Sequence, residues 1–238
     1  MTASTVRRVL IPGGSGAVGE GAVRAYLATG AQVVVPTRTD ERADEFRRVL
    51  GDDATDHLHL FTHDYTTFEG AEALATTMQE RLGGIDDVVA PIGGWWAGKQ
   101  LWEIGRDDWD AAFTGLATTH MAVARAVLPR LGADGSYAVV VGESALFPVP
   151  GSGLVSMEQA AILMMREVLA AEAGDSRRIH ALVLGPVRTR AVPGETLWVS
   201  ADQIGAVAVA LSNRPAATSQ EVLLRTGAEA EKFLAELP

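Results

Sequence analysis

The sequence predicts one α/β domain over residues 1–238, a doubly wound seven-stranded parallel sheet flanked by helices. Three observations carry that expectation. Short β-branched runs alternate with longer Ala/Leu-rich stretches along the whole chain, the pattern of successive βαβ units. A glycine cluster separates the first such run from the first helical stretch. No repeat or Pro/Gly/Ser linker divides the chain, and 47% hydrophobic with 21% charged residues is a globular composition rather than a disordered one.

In order, residues 6–11 read as the first strand and 17–28 as a helix ended by Gly30. Residues 32–35 are the second strand, and 40–50 a helix opened by an Asp cap. The third strand is 58–61, with a helix over 68–82. Residues 88–92 are apolar throughout, as a strand covered on both faces should be. Residues 109–131 carry one long helix, stopped near Pro129. A fifth strand at 137–141, a second long helix at 153–173 and a sixth strand at 180–184 follow. A helix at 201–211 opens after Ser200, and 221–225 is the last strand.

Composition narrows the function. Lys and Arg number 20 against 30 Asp and Glu, for a charge of −10. An acidic chain without a basic block gains little from phosphate attraction, which sets nucleic acid aside as a partner. The absence of cysteine removes disulfides, thiolate nucleophiles and Cys-type metal sites together. Only Val9, Leu10 and Ile11 follow Arg7 and Arg8, too few for a secretory signal. No segment nears the ~18–20 apolar residues of a membrane span. The expectation is a cytoplasmic protein with a small-molecule ligand.

The glycine turn runs Pro12-Gly13-Gly14-Ser15-Gly16-Ala17-Val18-Gly19. Glycine lets a diphosphate approach the main chain, whose N–H groups and helix dipole attract the anion. At the end of the second strand NAD readers carry an acid and NADP readers an Arg. Here Thr37 and Arg38 stand there, which favours NADP(H), with NAD(H) the alternative; the plain reading of Arg38 is a solvated residue before the next helix.

These landmarks together resemble the short-chain dehydrogenase/reductase family over nearly the whole chain. The turn from Gly13 to Gly19 is similar to its glycine motif, with Pro12 for Thr and Ala17 for the middle Gly. His63-Asp64, Pro91-Ile92-Gly93, the segment from Trp109 to Pro129, and Gly185-Pro186-Val187-Arg188-Thr189 match further segments in order and spacing. The resemblance implies a Rossmann-type fold with a nicotinamide cofactor touching Gly13, Ser15, Gly16, Ala17, Val18 and Gly19. It also places Thr37, Arg38, Asp64, Tyr65, Pro91, Gly93, Gln159, Gly185, Val187 and Thr189 along the cofactor. A homodimer or homotetramer through residues 109–129 and 153–173 is implied, with Ala122, Ala126, Ala160, Ala161 and Met164 in the interface.

The family's catalytic Asn, Ser, Tyr and Lys positions fall on Leu116, Gly142, Val155 and Gln159. No Tyr-x-x-x-Lys occurs, the three tyrosines being Tyr26, Tyr65 and Tyr137. Valine donates no proton and glutamine carries no charge. Replacement candidates are Glu143 and Ser144 after the fifth strand, and His120, one turn beyond Leu116, which titrates near neutrality in its ordinary state. Trp95 and Trp96 either stack on a flat ligand or pack in the core, and Lys99 is the one lysine nearby. Arg188 and Arg190 can hold an anion. His57, His59 and His63 share a strand face but flank the adenine side, so no metal is expected. Only residues 191–199 separate Arg190 from the next cap, a short lid that suits an open groove or a bulky ligand. The expected function is an atypical NADP(H)-dependent oxidoreductase acting on an activated carbonyl or imine. A non-catalytic nucleotide-binding scaffold, or a non-redox cyclase, isomerase or lyase, is the alternative.

Overall fold

The β-branched runs pair into an all-parallel seven-stranded sheet in the computed structural model, which describes residues 6–214 and 219–236. Its strands are β1 (Arg8–Leu10), β2 (Gln32–Thr37), β3 (Leu58–Thr62), β4 (Ile85–Ala90), β5 (Leu131–Gly142), β6 (Arg178–Leu184) and, last in the chain, β9 (Glu221–Leu224). Their order is β3-β2-β1-β4-β5-β6-β9, so the chain reverses its direction of sheet growth between β1 and β4. Helices α1 (Gly19–Ala28), α2 (Asp40–Leu50), α7 (Ala201–Ser212) and α8 (Gly227–Ala235) cover one face. Helices α3 (Phe68–Leu82), α5 (Gly115–Val127) and α6 (Gly153–Ala173) cover the other. Short pieces complete the fold: α4 (Arg106–Trp109) and the two-residue parallel pair β7 (Val187–Arg188) and β8 (Val199–Ser200).

Several boundaries differ from the sequence expectation for identifiable reasons. β4 begins at Ile85, because Asp86 and Asp87 are neutralised within the sheet rather than turned to water. Arg8 forks onto Asp86 with both bonds at 2.8 Å, and Arg7 reaches the fully buried Asp87 at 2.6 Å while Ser136 donates to it at 2.7 Å. Arg7 and Arg8 lie 80 and 78 residues away in the chain and Ser136 49, beyond any local pattern. The long helix expected over 109–131 is instead α4, a π-helical turn at Asp110–Thr114, α5 and a 3-10 turn at Leu128–Arg130. Pro129, lacking an N–H, stops it there. Thr39, not Asp40, caps α2 by accepting the Arg42 N–H at 3.3 Å. Helix α8, absent from the sequence expectation, opens on the reciprocal Thr226/Glu229 cap.

Helix α1 is seated by a crossing with α7 in which backbones nearly touch. A Cβ on Gly21 would lie 2.0 Å from the Ala201 carbonyl oxygen, and one on Gly205 2.2 Å from that of Gly21. No helix of the described residues is long and apolar enough to cross a membrane.

Gly21→Ala therefore overpacks the crossing and is expected to cost about 2–3 kcal/mol of unfolding free energy. The urea midpoint of the variant should fall accordingly, whereas Gly30→Ala, with open space around its side chain, loses only what its positive φ demands.

Candidate active site

Ligands of open α/β sheets bind beyond the carboxyl ends of the strands, where the order reverses. Here that place lies between β1 and β4. Gly13 has φ +86°, and a Cβ there would stand 2.5 Å from the Pro91 carbonyl oxygen at the end of β4. A Cβ on Gly19 would stand 2.4 Å from the Gly13 oxygen. The turn is thus folded onto itself and onto β4. Ser15, Gly16 and Ala17 remain exposed at its tip, and α1 starts at Val18 without a side-chain cap. This cradle of main chain before an uncapped helix start fits a diphosphate.

At the adenosine end, Thr37 is buried and its hydroxyl finds no hydrogen-bond partner among the described residues. An unmade bond of that kind costs about 1–3 kcal/mol, which a ligand oxygen would recover. Arg38 is exposed beside it. Asp64 takes the Thr66 N–H at 2.9 Å and its hydroxyl at 2.7 Å. Those bonds, with smaller help from His63 and Arg38, hold its carboxyl below the usual range. Burial pushes the Tyr65 phenol up. The residues present therefore fit a nicotinamide dinucleotide.

A polar cluster is built from the end of β5 and the first turns of α6. Gln159 Oε1 accepts the Gly142 N–H at 2.7 Å and the Ser144 hydroxyl at 3.0 Å. Gln159 fills the space that a side chain on residue 142 would need, since a Cβ there would lie 2.7 Å from Oε1. Val155, one turn earlier, is buried, and Leu116 packs against the core. Glu143 is half-buried, with Arg225 in Coulombic reach.

His120 departs from the expectation that it titrates near neutrality. It is 1% exposed, Nε2 is 2.9 Å from the Ile92 carbonyl, and Nδ1 is buried without a partner. Desolvation takes its pKa down to about 4, so at pH 7 the neutral ring ties α5 to the end of β4. Glu158 escapes the sequence reading altogether. It is buried on the inward face of α6, between Val155 and Ile162, with no hydrogen bond or ion pair among the described residues. Burial raises its pKa to about 7. The available signal was a carboxylate at i+3 and i−4 from apolar core positions.

The remaining candidates fall around the rim. Trp95 is 70% exposed and Trp96 half-buried, so Trp95 is not core filler. Lys99 is committed to Asp108 at 2.5 Å. A cleft of about 650 Å3 lies between α1 and the loop after β7, lined by Ala17, Glu20, Arg24, Arg188, Thr189 and Arg190 among others. There Arg188 donates to the Trp198 carbonyl at 3.2 Å and Arg190 to Glu20 at 3.3 Å. Gly185 packs on β9, its Cβ position 2.6 Å from the Arg225 oxygen, which gives a structural reason for glycine there. The three histidines of the third strand diverge: His57 bonds the Gly30 carbonyl, His59 the Gln32 amide and His63 the Gly70 carbonyl. Of the alanines expected in an interface, Ala122 and Ala126 point inward, at 1% and 0% exposure, because α5 turns them onto the sheet. Ala161 and Met164 are exposed.

A family model described as enoyl-(acyl carrier protein) reductase matches residues 14–222. The cis-2,3-dihydrobiphenyl-2,3-diol dehydrogenase of Paraburkholderia xenovorans is 25% identical over 207 residues, covering 85% of this chain and 73% of that protein. A short-chain dehydrogenase/reductase from Serratia marcescens superposes with a TM-score of 0.82 at 16% identity, over 94% of this chain and 98% of that one. A short chain dehydrogenase from Burkholderia cenocepacia in complex with NADP gives 0.81 at 20% identity, over 93% and 97%.

The two shifted groups have opposite pH signatures. For His120 the unfolded chain takes up the proton first, so its contribution is lost as pH falls from about 6.5 to about 4. For Glu158 the folded chain holds the proton longer, so its contribution is lost as pH rises from about 4.5 to about 7. Each window spans about 3 kcal/mol. Relative to the parent, Glu158→Gln should gain stability as pH rises through its window, and His120→Gln as pH falls through its own. Urea midpoints between pH 4 and 8 read both slopes.

Proposed function

The chain belongs to the short-chain dehydrogenase/reductase family, and from that premise we propose that it is an NADP(H)-dependent oxidoreductase whose acceptor is already activated, a conjugated carbonyl or an imine. The Gln159–Ser144–Gly142 cluster carries this reading. With Oε1 engaged twice, the Gln159 amide nitrogen has no acceptor among the described residues. Its two N–H groups form a neutral, preorganised clamp, a donor pair for an acceptor oxygen or nitrogen, while Ser144, whose proton is given to Oε1, fixes the amide in place. Such a clamp polarises without supplying a proton. An electrophile with low intrinsic demand for proton transfer suits it, with solvent as the source of the proton.

When bound, the nicotinamide would supply the hydride. The chain's own part is to cradle the diphosphate at Gly13–Gly19, to pair Thr37 and Arg38 with the ribose and its 2′-phosphate, and to hold the acceptor on the Gln159 amide that Ser144 positions. The choice of NADP(H) over NAD(H) rests on Arg38 and on the missing acid at Thr37. Arg38→Ala should weaken NADPH binding at least about tenfold, the loss of one charge-assisted phosphate pair, and leave NADH nearly unchanged. Ligand fluorescence titrations at constant salt measure both; equal effects on the two nucleotides refute the assignment.

We also infer a homo-oligomer, assembled through α6. Met157, Ala161, Met164 and Val168 are exposed at helical spacing along one face, with Met164 at 62%. A stripe of that kind is expected to be covered by a second copy. Met164→Glu should then shift the sedimentation coefficient to that of a 25.1 kDa monomer without loss of helix content.

A further inference from the structure

We propose that the acceptor of this site is a large, flat, apolar molecule of two rings or more without an anionic group, seated on an aromatic rim formed by the loops after β4 and β5. That it is the acceptor rests on the oxidoreductase reading above; that such a molecule binds here rests on the rim itself.

Five large apolar side chains stand in water on these loops, Leu101 at 45% among them. Trp95 and Trp102 after β4 are 70% and 82% exposed, and Leu146 and Phe147 after β5 are 51% and 49% exposed. The two loops form one surface. The Gly98 N–H donates to the Gly151 carbonyl at 2.9 Å, and Leu101 packs on Gly153, whose Cβ position lies 2.6 Å from it. Exposed apolar surface beside a cleft marks a binding place, because covering it removes that surface from water. Indole faces favour flat aromatic partners further through offset stacking.

The rim offers no free positive charge among the described residues. Between Gly93 and Gly105 the ionic residues are Lys99 and Glu103. Lys99 is paired with Asp108 at 2.5 Å, and Glu103 accepts the Gln100 N–H at 3.1 Å. After β5, Arg225 in Coulombic reach of Glu143 is paired with Glu229 at 2.5 Å. An anionic acceptor would find no counter-charge here, which selects against one. The rim is continuous with the clamp, since its loops spring from the strand ends that carry Gly93 and Ser144. Nor does the loop after β7 cover it. That loop closes on itself through the Thr189 N–H to the Val192 carbonyl at 2.8 Å, with the Trp198 ring packed over Gly194, and lines the cleft on the α1 side.

The test titrates the full chain with 1,3-diphenylpropenone and with cyclohex-2-enone, with and without NADPH, by tryptophan quenching and equilibrium dialysis. The two-ring enone should bind at least about tenfold more tightly than the one-ring enone. Trp95→Ala and Trp102→Ala, at exposed positions that leave the core intact, should each erase about fivefold of that preference while NADPH affinity stays at the parent value. Equal binding of the two enones overturns the inference, as does a preference that both variants retain. Conversion of an oligomer to a monomer by either variant overturns it too, since a second copy would then cover the rim. Preference for the two-ring enone without NADPH binding supports the rim and sinks the oxidoreductase reading; NADPH binding without that preference sinks the rim alone.

Discussion

Main chain lies against main chain at three points around the start of α1, and the site depends on that contact. The Gly13 turn rests on the Pro91 carbonyl, Gly19 on Gly13, and Gly21 on the Ala201 carbonyl of α7. Any side chain at those positions would drive the helix away from the strand ends. The start of α1 would then no longer face the crevice between β1 and β4, and its exposed Ser15–Gly16–Ala17 tip would have nothing to cradle. Backbone proximity places a strong dipole where an anion can reach it, something no side chain does as rigidly.

A second coupling sits across the crevice. Gln159 and Gly142 explain each other: the amide oxygen occupies the room of a side chain at residue 142 and takes its N–H. Ser144 completes the cluster by donating to the same oxygen. The result is polar and neutral, consistent with an acceptor that needs orientation more than acid catalysis. Nearby burial controls the proton inventory in the same direction. His120 is held neutral by desolvation, and for the same reason Glu158 gives up its proton only around pH 7, so burial opposes charge at both positions.

At the opposite end of the sheet, charge is handled by pairing rather than by neutralisation. Arg7 and Arg8 fork onto Asp87 and Asp86, and the two terminal nitrogens of the buried Arg178 guanidinium donate to the carbonyls of Asp134, Leu211, Ser212 and Arg214, its Nε finding no partner among the described residues. These bonds tie the amino ends of the strands to the end of α7. They lie far from the crevice and keep the strand order rigid while the loops at the other end remain free to carry function.

The sequence by itself determined the sheet, its helices and the place of the crevice, because period, glycine punctuation and apolar runs are local signals that the chain carries every few residues. Helices over Asp40–Leu50, Phe68–Leu82 and Gly153–Ala173 were legible to the residue for that reason. Tertiary structure alone decided which side chains share a surface. The strand status of Asp86 and Asp87, the inward turn of Ala122 and Ala126, the neutral state of His120 and the solitude of Glu158 depend on partners or burial supplied by distant segments. So does the joining of Trp95 and Trp102 to Leu146 and Phe147 in one rim. Solvation and pairing are properties of the packed molecule, and a linear pattern holds no record of which two distant residues will meet.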